Sequence, residues 1–205
     1  MSGANSRRYH GLLVAALQPP VGRALLVANL DIRVRCGAEI HDLSTNEYQG
    51  GYIHPAGYSR ICSFAIDDGI PTWEYEFAGV RLQKRIWMAH GKNTTHVQLT
   101  LLKTDTPIEL ELRPLCTHRD YHAHAHGSWP IEVRSLEDGF AIVGYAGAAP
   151  YQVRCAGSVF HAAPDWYWNF HHRVEAERGL DDSEDLLCPG TLTVHLAEGE
   201  SATLV

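Results

Sequence analysis

Three segments of this 205-residue chain concentrate side chains able to do polar chemistry. Ser6-Arg7-Arg8-Tyr9-His10-Gly11 sets two guanidiniums, a phenol and an imidazole immediately before the apolar run Leu12-Leu13-Val14. His118-Arg119-Asp120-Tyr121-His122 repeats that mixture, and Trp166-Tyr167-Trp168-Asn169-Phe170-His171-His172-Arg173 adds indoles and an amide. Arginine forms planar, often two-pronged hydrogen bonds to carboxylates, and aromatic faces stack on polar rings. Such groups suit a sugar or a hydrated domain interface. Tyr9 and His10, wedged between the arginines and Gly11, favour an ordered network over a solvated basic patch.

Other chemistries find less support. In an extended strand His122, His124 and His126 would share one face, a spacing used by metal ligands. No HExxH accompanies them and a carboxylate to serve as third ligand cannot be placed, so no metal or other cofactor is assigned. The segment reads instead as a hydrogen-bonded corner, Arg119 to His122, after a strand ending at Pro114, with Ala123 to Gly127 as an exposed loop. Glu175, Glu177, Asp181, Asp182, Glu184 and Asp185 form an acidic stretch. Glycoside hydrolysis needs two carboxylates, but such a stretch is more often a solvated loop or an arginine partner, and no catalytic pair is assigned. GxSxG, GxxxxGK[ST] and GxGxxG are all missing from the sequence.

These groups must be carried by strands. Leu30-Asp31-Ile32-Arg33-Val34-Arg35, Thr72-Trp73-Glu74-Tyr75-Glu76-Phe77 and Ile108-Glu109-Leu110-Glu111-Leu112-Arg113 alternate apolar and polar residues. Period two places one face on a core and the other in water, as in antiparallel sheets. On the same rule Trp166 and Trp168 share one strand face, and Tyr167 and Asn169 the other. Asp68-Gly69 and Asp138-Gly139 have the chemistry of hairpin turns. Val174 to Leu180 has room for one helical turn, and no long helix is expected. About a dozen strands predict an all-β fold, a large antiparallel two-sheet sandwich over residues 1–205.

Composition narrows the partners. A net charge of -7 leaves no basic footprint for nucleic acid. No apolar run reaches the length of a membrane span and no signal-peptide layout opens the chain. Cys36, Cys62, Cys116, Cys155 and Cys188 are odd in number and contain no CxxC, which suits reduced thiols in a cytoplasmic protein. Both ends read as cut, and the run Ser201 to Val205 stops inside a strand pattern, so a longer parent chain is expected.

The same segments resemble a known family. Ser2 to Leu17, with Pro19-Pro20-Val21-Gly22-Arg23 after it, looks like the start of the N-terminal domain of bacterial and archaeal glycogen debranching enzymes. Leu110 to Leu115 leading into Arg119-Asp120-Tyr121-His122 resembles a second block. Glu175 to Leu180, then Glu184-Asp185-Leu186 and Pro189-Gly190, resembles a third. The blocks are ordered and span nearly the whole chain.

The resemblance implies an amylo-α-1,6-glucosidase, which hydrolyses α-1,6 branch points of glycogen-like α-glucans. Catalytic carboxylates in that family belong to a C-terminal (α/α) barrel, and this chain has no such region. It therefore resembles the accessory domain alone, a galactose mutarotase-like supersandwich packed on the barrel. Members begin somewhat upstream of Ser2, which implies either a missing first strand or an early start codon. No catalytic residue carries over. Arg7, Arg8, Tyr9, His10, Arg119, Asp120, Tyr121, His122, Arg178 and Asp181 carry over as motif positions, expected with Trp166 and Trp168 at an interface or substrate rim. The expected partners are the catalytic domain of the same polypeptide and an α-glucan. An autonomous carbohydrate-binding module is a second reading, and an aldose-epimerase-like sugar enzyme a third.

Overall fold

The computed structural model describes residues 2–19 and 21–205; Pro20, part of the first family block, lies outside them. The chain runs through β1 (Leu13–Gln18), β2 (Gly22–Cys36), β3 (Glu39–Asp42), β4 (Thr45–Tyr48) and β5 (Tyr52–Ala56). It continues through β6 (Ile61–Asp67), β7 (Ile70–Phe77), β8 (Val80–Met88), β9 (Thr95–Lys103) and β10 (Ile108–Asp120). Then come β11 (Glu132–Leu136), β12 (Gly139–Val143), β13 (Tyr151–Arg154) and β14 (Val159–His171). One short helix, α1 (Arg173–Glu177), precedes β15 (Ser183–Leu196) and β16 (Ser201–Leu204).

The strands form three antiparallel sheets. The largest is ordered β1-β2-β10-β15-β14-β4-β5, with β3 also paired to β2. A five-stranded sheet, β16-β9-β8-β7-β6, faces it, and β11-β12-β13 makes a small third layer. The all-β sandwich is thus as expected, with sixteen strands among the described residues rather than a dozen and a third sheet that periodicity did not reveal.

Alternation explains the main core. Leu30, Ile32 and Val34 of β2, Leu110 and Leu112 of β10, and Leu192, Val194 and Leu196 of β15 point inward. They meet Trp73, Tyr75, Phe77, Leu82, Leu99 and Leu101 from the opposing sheet. Near its start β2 breaks the pattern: Ala24 to Ala28 are all buried. A strand covered on both faces loses its polar alternation, and here a second apolar cluster occupies the outer face. It joins Leu25, Ala28, Leu115, Phe170, Leu186 and Cys188.

The turns follow backbone chemistry. Asp68 and Gly69 both have positive φ, 48° and 80°, between paired Asp67 and Ile70. That is the signature of a tight hairpin matched to the right-handed twist of its strands. Ala78-Gly79 does the same between Phe77 and Val80, which the sequence did not reveal because alanine rarely takes a positive φ. In the third sheet Leu136 pairs with Gly139, so the turn is Glu137-Asp138 rather than Asp138-Gly139. Gly139 belongs to the strand because a Cβ there would collide with the Val153 carbonyl.

β10 does not end at Pro114. It runs on to Asp120, with Pro114 opposite Leu30 and register shifts after Leu115. Proline lacks a ladder donor, and the irregularity that follows is the usual accommodation. Asn169 does not share a strand face with Tyr167: it sits at φ 62° within a register shift between Tyr167 and Phe170.

Candidate functional site: an arginine clamp at one end of the large sheet

The end of the large sheet where β10 and β14 finish and β15 begins collects three irregular segments. They are the N-terminal loop, the 121–127 loop, and α1 with the acidic stretch after it. Arg119 and Glu184 lie on neighbouring strands beneath them, with side chains 4% and 2% exposed. Arg119 grips Glu184 with two prongs, Nε on Oε1 and Nη2 on Oε2, the latter at 3.0 Å. The same guanidinium donates to the Arg8 carbonyl at 2.8 Å and the Asp120 carbonyl at 3.2 Å. A buried ion pair is tolerated when its remaining donors are satisfied, and these bonds tie the N-terminal loop to the sheet.

Glu175 is the second anchor. α1 holds its side chain at 0% exposure, 3.3 Å from both Arg7 Nε and Arg8 Nη2. Arg178 Nη1 approaches to 3.7 Å. Burial alone would raise the Glu175 carboxyl, but the Arg7 hydrogen bond and the Arg8 charge outweigh it and hold the group below the usual carboxylate range. For Glu184 the balance is opposite: burial raises it despite Arg119. The Val174 amide donates to the Ser6 carbonyl, so the helix grips the loop through backbone as well.

Aromatic rings close the outside. Tyr9 packs on Tyr121 with ring centroids 4.7 Å apart, and its hydroxyl lies 3.3 Å from His122 Nδ1. Arg7 and Arg8 lie 5.3 and 5.8 Å from the Tyr9 ring centre. Arg8 also donates from Nη1 to the His122 carbonyl at 3.0 Å. Asp120 accepts from the His122 amide at 2.8 Å, which shapes the corner. His10 Nδ1 accepts from the Ser6 amide, and the ring is otherwise exposed. Gly11 follows because a Cβ there would overlap Leu25 Cδ1 and stand 3.3 Å from the Val27 carbonyl.

A histidine chain extends the clamp sideways. Asp181 Oδ2 lies 2.8 Å from His126 Nε2 and 3.3 Å from His124 Nδ1. His124 Nε2 is 3.0 Å from His172 Nδ1, and His172 Nε2 is 3.8 Å from Glu184. Burial, then the charges of His124 and Arg119, push His172 down to about 3. Burial likewise lowers His124. Both imidazoles are therefore neutral at pH 7. Asp185 caps backbone donors, accepting from the Asn169 amide at 2.8 Å and the Gly127 amide at 2.7 Å.

Ten expected positions thus gather in one region: Arg7, Arg8, Tyr9, His10, Arg119, Asp120, Tyr121, His122, Arg178 and Asp181. Trp166 and Trp168 stand apart. Trp166 packs on Trp129 at 4.8 Å and on Trp168 at 6.0 Å, and the Trp129 indole donates to the Gly144 carbonyl. The 122–126 histidines lie in a turn and loop rather than a strand, so they do not share a face; His122 serves Tyr9, and His124 and His126 serve Asp181. Among the described residues no group of three or more His, Cys, Asp or Glu side chains is placed to hold a metal ion. Glu175, Glu184 and His172 are central; sequence reasoning named the two carboxylates only within an acidic stretch read as a solvated loop or an arginine partner, and gave His172 no role of its own. Their signal was the arginine excess of the first block, which demanded buried carboxylates somewhere.

This ordered set of motifs agrees with a comparison against protein families. The model described as glycogen debranching enzyme N terminal matches residues 1–203. The chain belongs to that family. No curated protein matches it. In this debranching-enzyme N-terminal domain all three sequence blocks meet at the clamp: Arg8 from the first, Arg119 from the second, Glu175 and Glu184 from the third. Glu175, Glu184 and Asp185 of the third block are thereby engaged as anchors for arginine and backbone donors. No helix among the described residues is long and apolar enough to cross a membrane.

Proposed function

We propose that this chain is the non-catalytic N-terminal domain of a glycogen debranching enzyme, an amylo-α-1,6-glucosidase acting on glycogen-like α-glucans. Its role is to brace the catalytic (α/α) barrel and shape the cleft that receives a branch point, in the cytoplasm. The observation that carries this reading is the clamp. It holds a loop without regular secondary structure in one geometry, while the side chains of Arg178 and Asp181 remain about half exposed on its outer side. Rigid, charged, partly desolvated groups of this kind suit a carboxylate- and hydroxyl-bearing partner surface.

The test uses the 205-residue chain and a separately produced barrel domain from the same enzyme. The chain alone should release no glucose from a branched α-glucan. It should bind the barrel in analytical ultracentrifugation, and Arg178→Ala with Asp181→Ala should weaken that binding. Glucose release by the chain alone, or no association at high micromolar concentration, would overturn the proposal.

Trp168 supports a second reading. It is 46% exposed beside Trp166 and Trp129, an aromatic surface on which a sugar ring could stack. Saturable heat on titrating maltooligosaccharides, lost in Trp168→Ala, would favour an autonomous glycan-binding role.

A further inference from the structure

Lys84 breaks the pattern of its strand. In β8 the residues Leu82, Lys84 and Ile86 fall on one face, and that face is the core face. Leu82 is fully buried, and the cross-strand neighbours of Lys84 are Trp73 and Leu99, both core residues. The ammonium therefore points between the two sheets. It lies 4.7 Å from the Trp73 ring centre and 5.6 Å from that of Tyr75, and no carboxylate among the described residues pairs with it. Ring faces attract a cation but leave its hydrogen-bond donors free for a ligand. Departures from local rules of this sort concentrate at functional positions.

Lys84 lines a cleft of about 340 Å³ where the N-terminal loop crosses the open edge of the sandwich. Leu30, Ile32, Ile86 and Val97 contribute apolar lining, and Tyr9 and Trp73 supply aromatic walls. Asn5, His10 and Asn29 add polar groups, and no Asp or Glu lines the cleft. Trp73 brings the second irregularity. It is 7% exposed, and its indole N–H is buried with no hydrogen-bond acceptor. A cation held only by ring faces and a buried donor with no acceptor, beside aromatic walls and without a competing carboxylate, describe a site suited to an anionic group.

We propose that this cleft binds a phosphorylated hexose. The phosphate would answer Lys84 and the Trp73 N–H, and the pyranose would pack on the aromatic and apolar walls. The volume exceeds what an inorganic anion needs and falls at the small end of the range of small-molecule sites. Lys84 and Trp73 take no part in the Arg119–Glu184 anchor, although Tyr9 and His10 border both regions, and a negative result would leave the domain's proposed role untouched.

Calorimetry on the 205-residue chain tests it, with glucose 1-phosphate, glucose 6-phosphate, inorganic phosphate and glucose as titrants. At least one phosphohexose should bind with a Kd of about 1 mM or tighter, and about tenfold more tightly than phosphate or glucose. Lys84→Met should weaken that binding by about tenfold or more, as expected for a lost charge-assisted bond. Trp73→Phe, which keeps the ring and deletes the donor, should also weaken binding, and it serves if Lys84→Met fails to fold. The proposal falls if neither phosphohexose gives saturable heat up to about 10 mM. It falls equally if inorganic phosphate binds as well as the sugar phosphate, or if both variants retain wild-type affinity.

Discussion

Arg119 and Glu184 form a two-pronged ion pair inside the protein, and the outermost guanidinium nitrogen of that pair also holds the backbone of Arg8. One side chain therefore joins β10, β15 and a loop more than a hundred residues away in sequence.

Breaking the pair from one side should be severe. Arg119→Met leaves a buried carboxylate unanswered, and a loss of about 3–5 kcal/mol is expected in urea unfolding. Replacing both partners, Arg119→Met with Glu184→Leu, should recover part of that loss, since two apolar groups leave no stranded charge. A double variant no more stable than Arg119→Met would argue against an electrostatic role for the contact.

The acid limb of stability should depend on Glu175. Its carboxyl is held low in the folded state, so its contribution is complete above the unfolded value near 4.5 and is lost as pH falls through the lower folded value. Glu175→Gln should lower the melting temperature at pH 7 and flatten its decline below pH 4.5. Parallel curves for the two proteins across that interval would contradict the arginine contacts.

His172 should shape a different interval. Folded His172 takes up a proton only near 3, whereas the unfolded imidazole does so near 6.5. The unfolded state thus binds more protons between these values, and stability falls as pH drops below 6.5. His172→Asn, which keeps a polar group close to His124, should reduce the slope of melting temperature against pH between about 6.5 and 4. Retention of the full slope would assign the effect to other groups.

Gly11 should resist even a methyl group. Gly11→Ala must push the loop off Leu25 and the Val27 carbonyl, and overpacking of this kind costs about 1–3 kcal/mol. Faster amide exchange confined to residues 5–12, with the rest of the sandwich protected, is the expected signature.

The β class was legible because Leu30 to Arg35, Thr72 to Phe77 and Ile108 to Arg113 alternate cleanly, and each does lie in a strand. Asp68-Gly69 announced its hairpin because both residues tolerate positive φ. Periodicity failed where burial is two-sided or the ladder is irregular: Ala24 to Ala28 show no polar face, and β10 continues past a proline. The third sheet stayed hidden because its strands are only four or five residues long. Of the clamp, the arginines and aromatics were visible as unusual local clusters. Their carboxylate partners were visible only as a stretch that could be a solvated loop or an arginine partner, since α1 and β15 alone decide which acids turn inward.

The separation of the clamp's parts along the chain has a consequence for biosynthesis. Arg7 and Glu175 are 168 positions apart, so this contact of the first loop cannot close until α1 has left the ribosome. Contacts of such long range are closed late. Until then the outer patch around Leu25 and Leu115 is uncovered, and the opening residues of the newborn chain are the last to find their place.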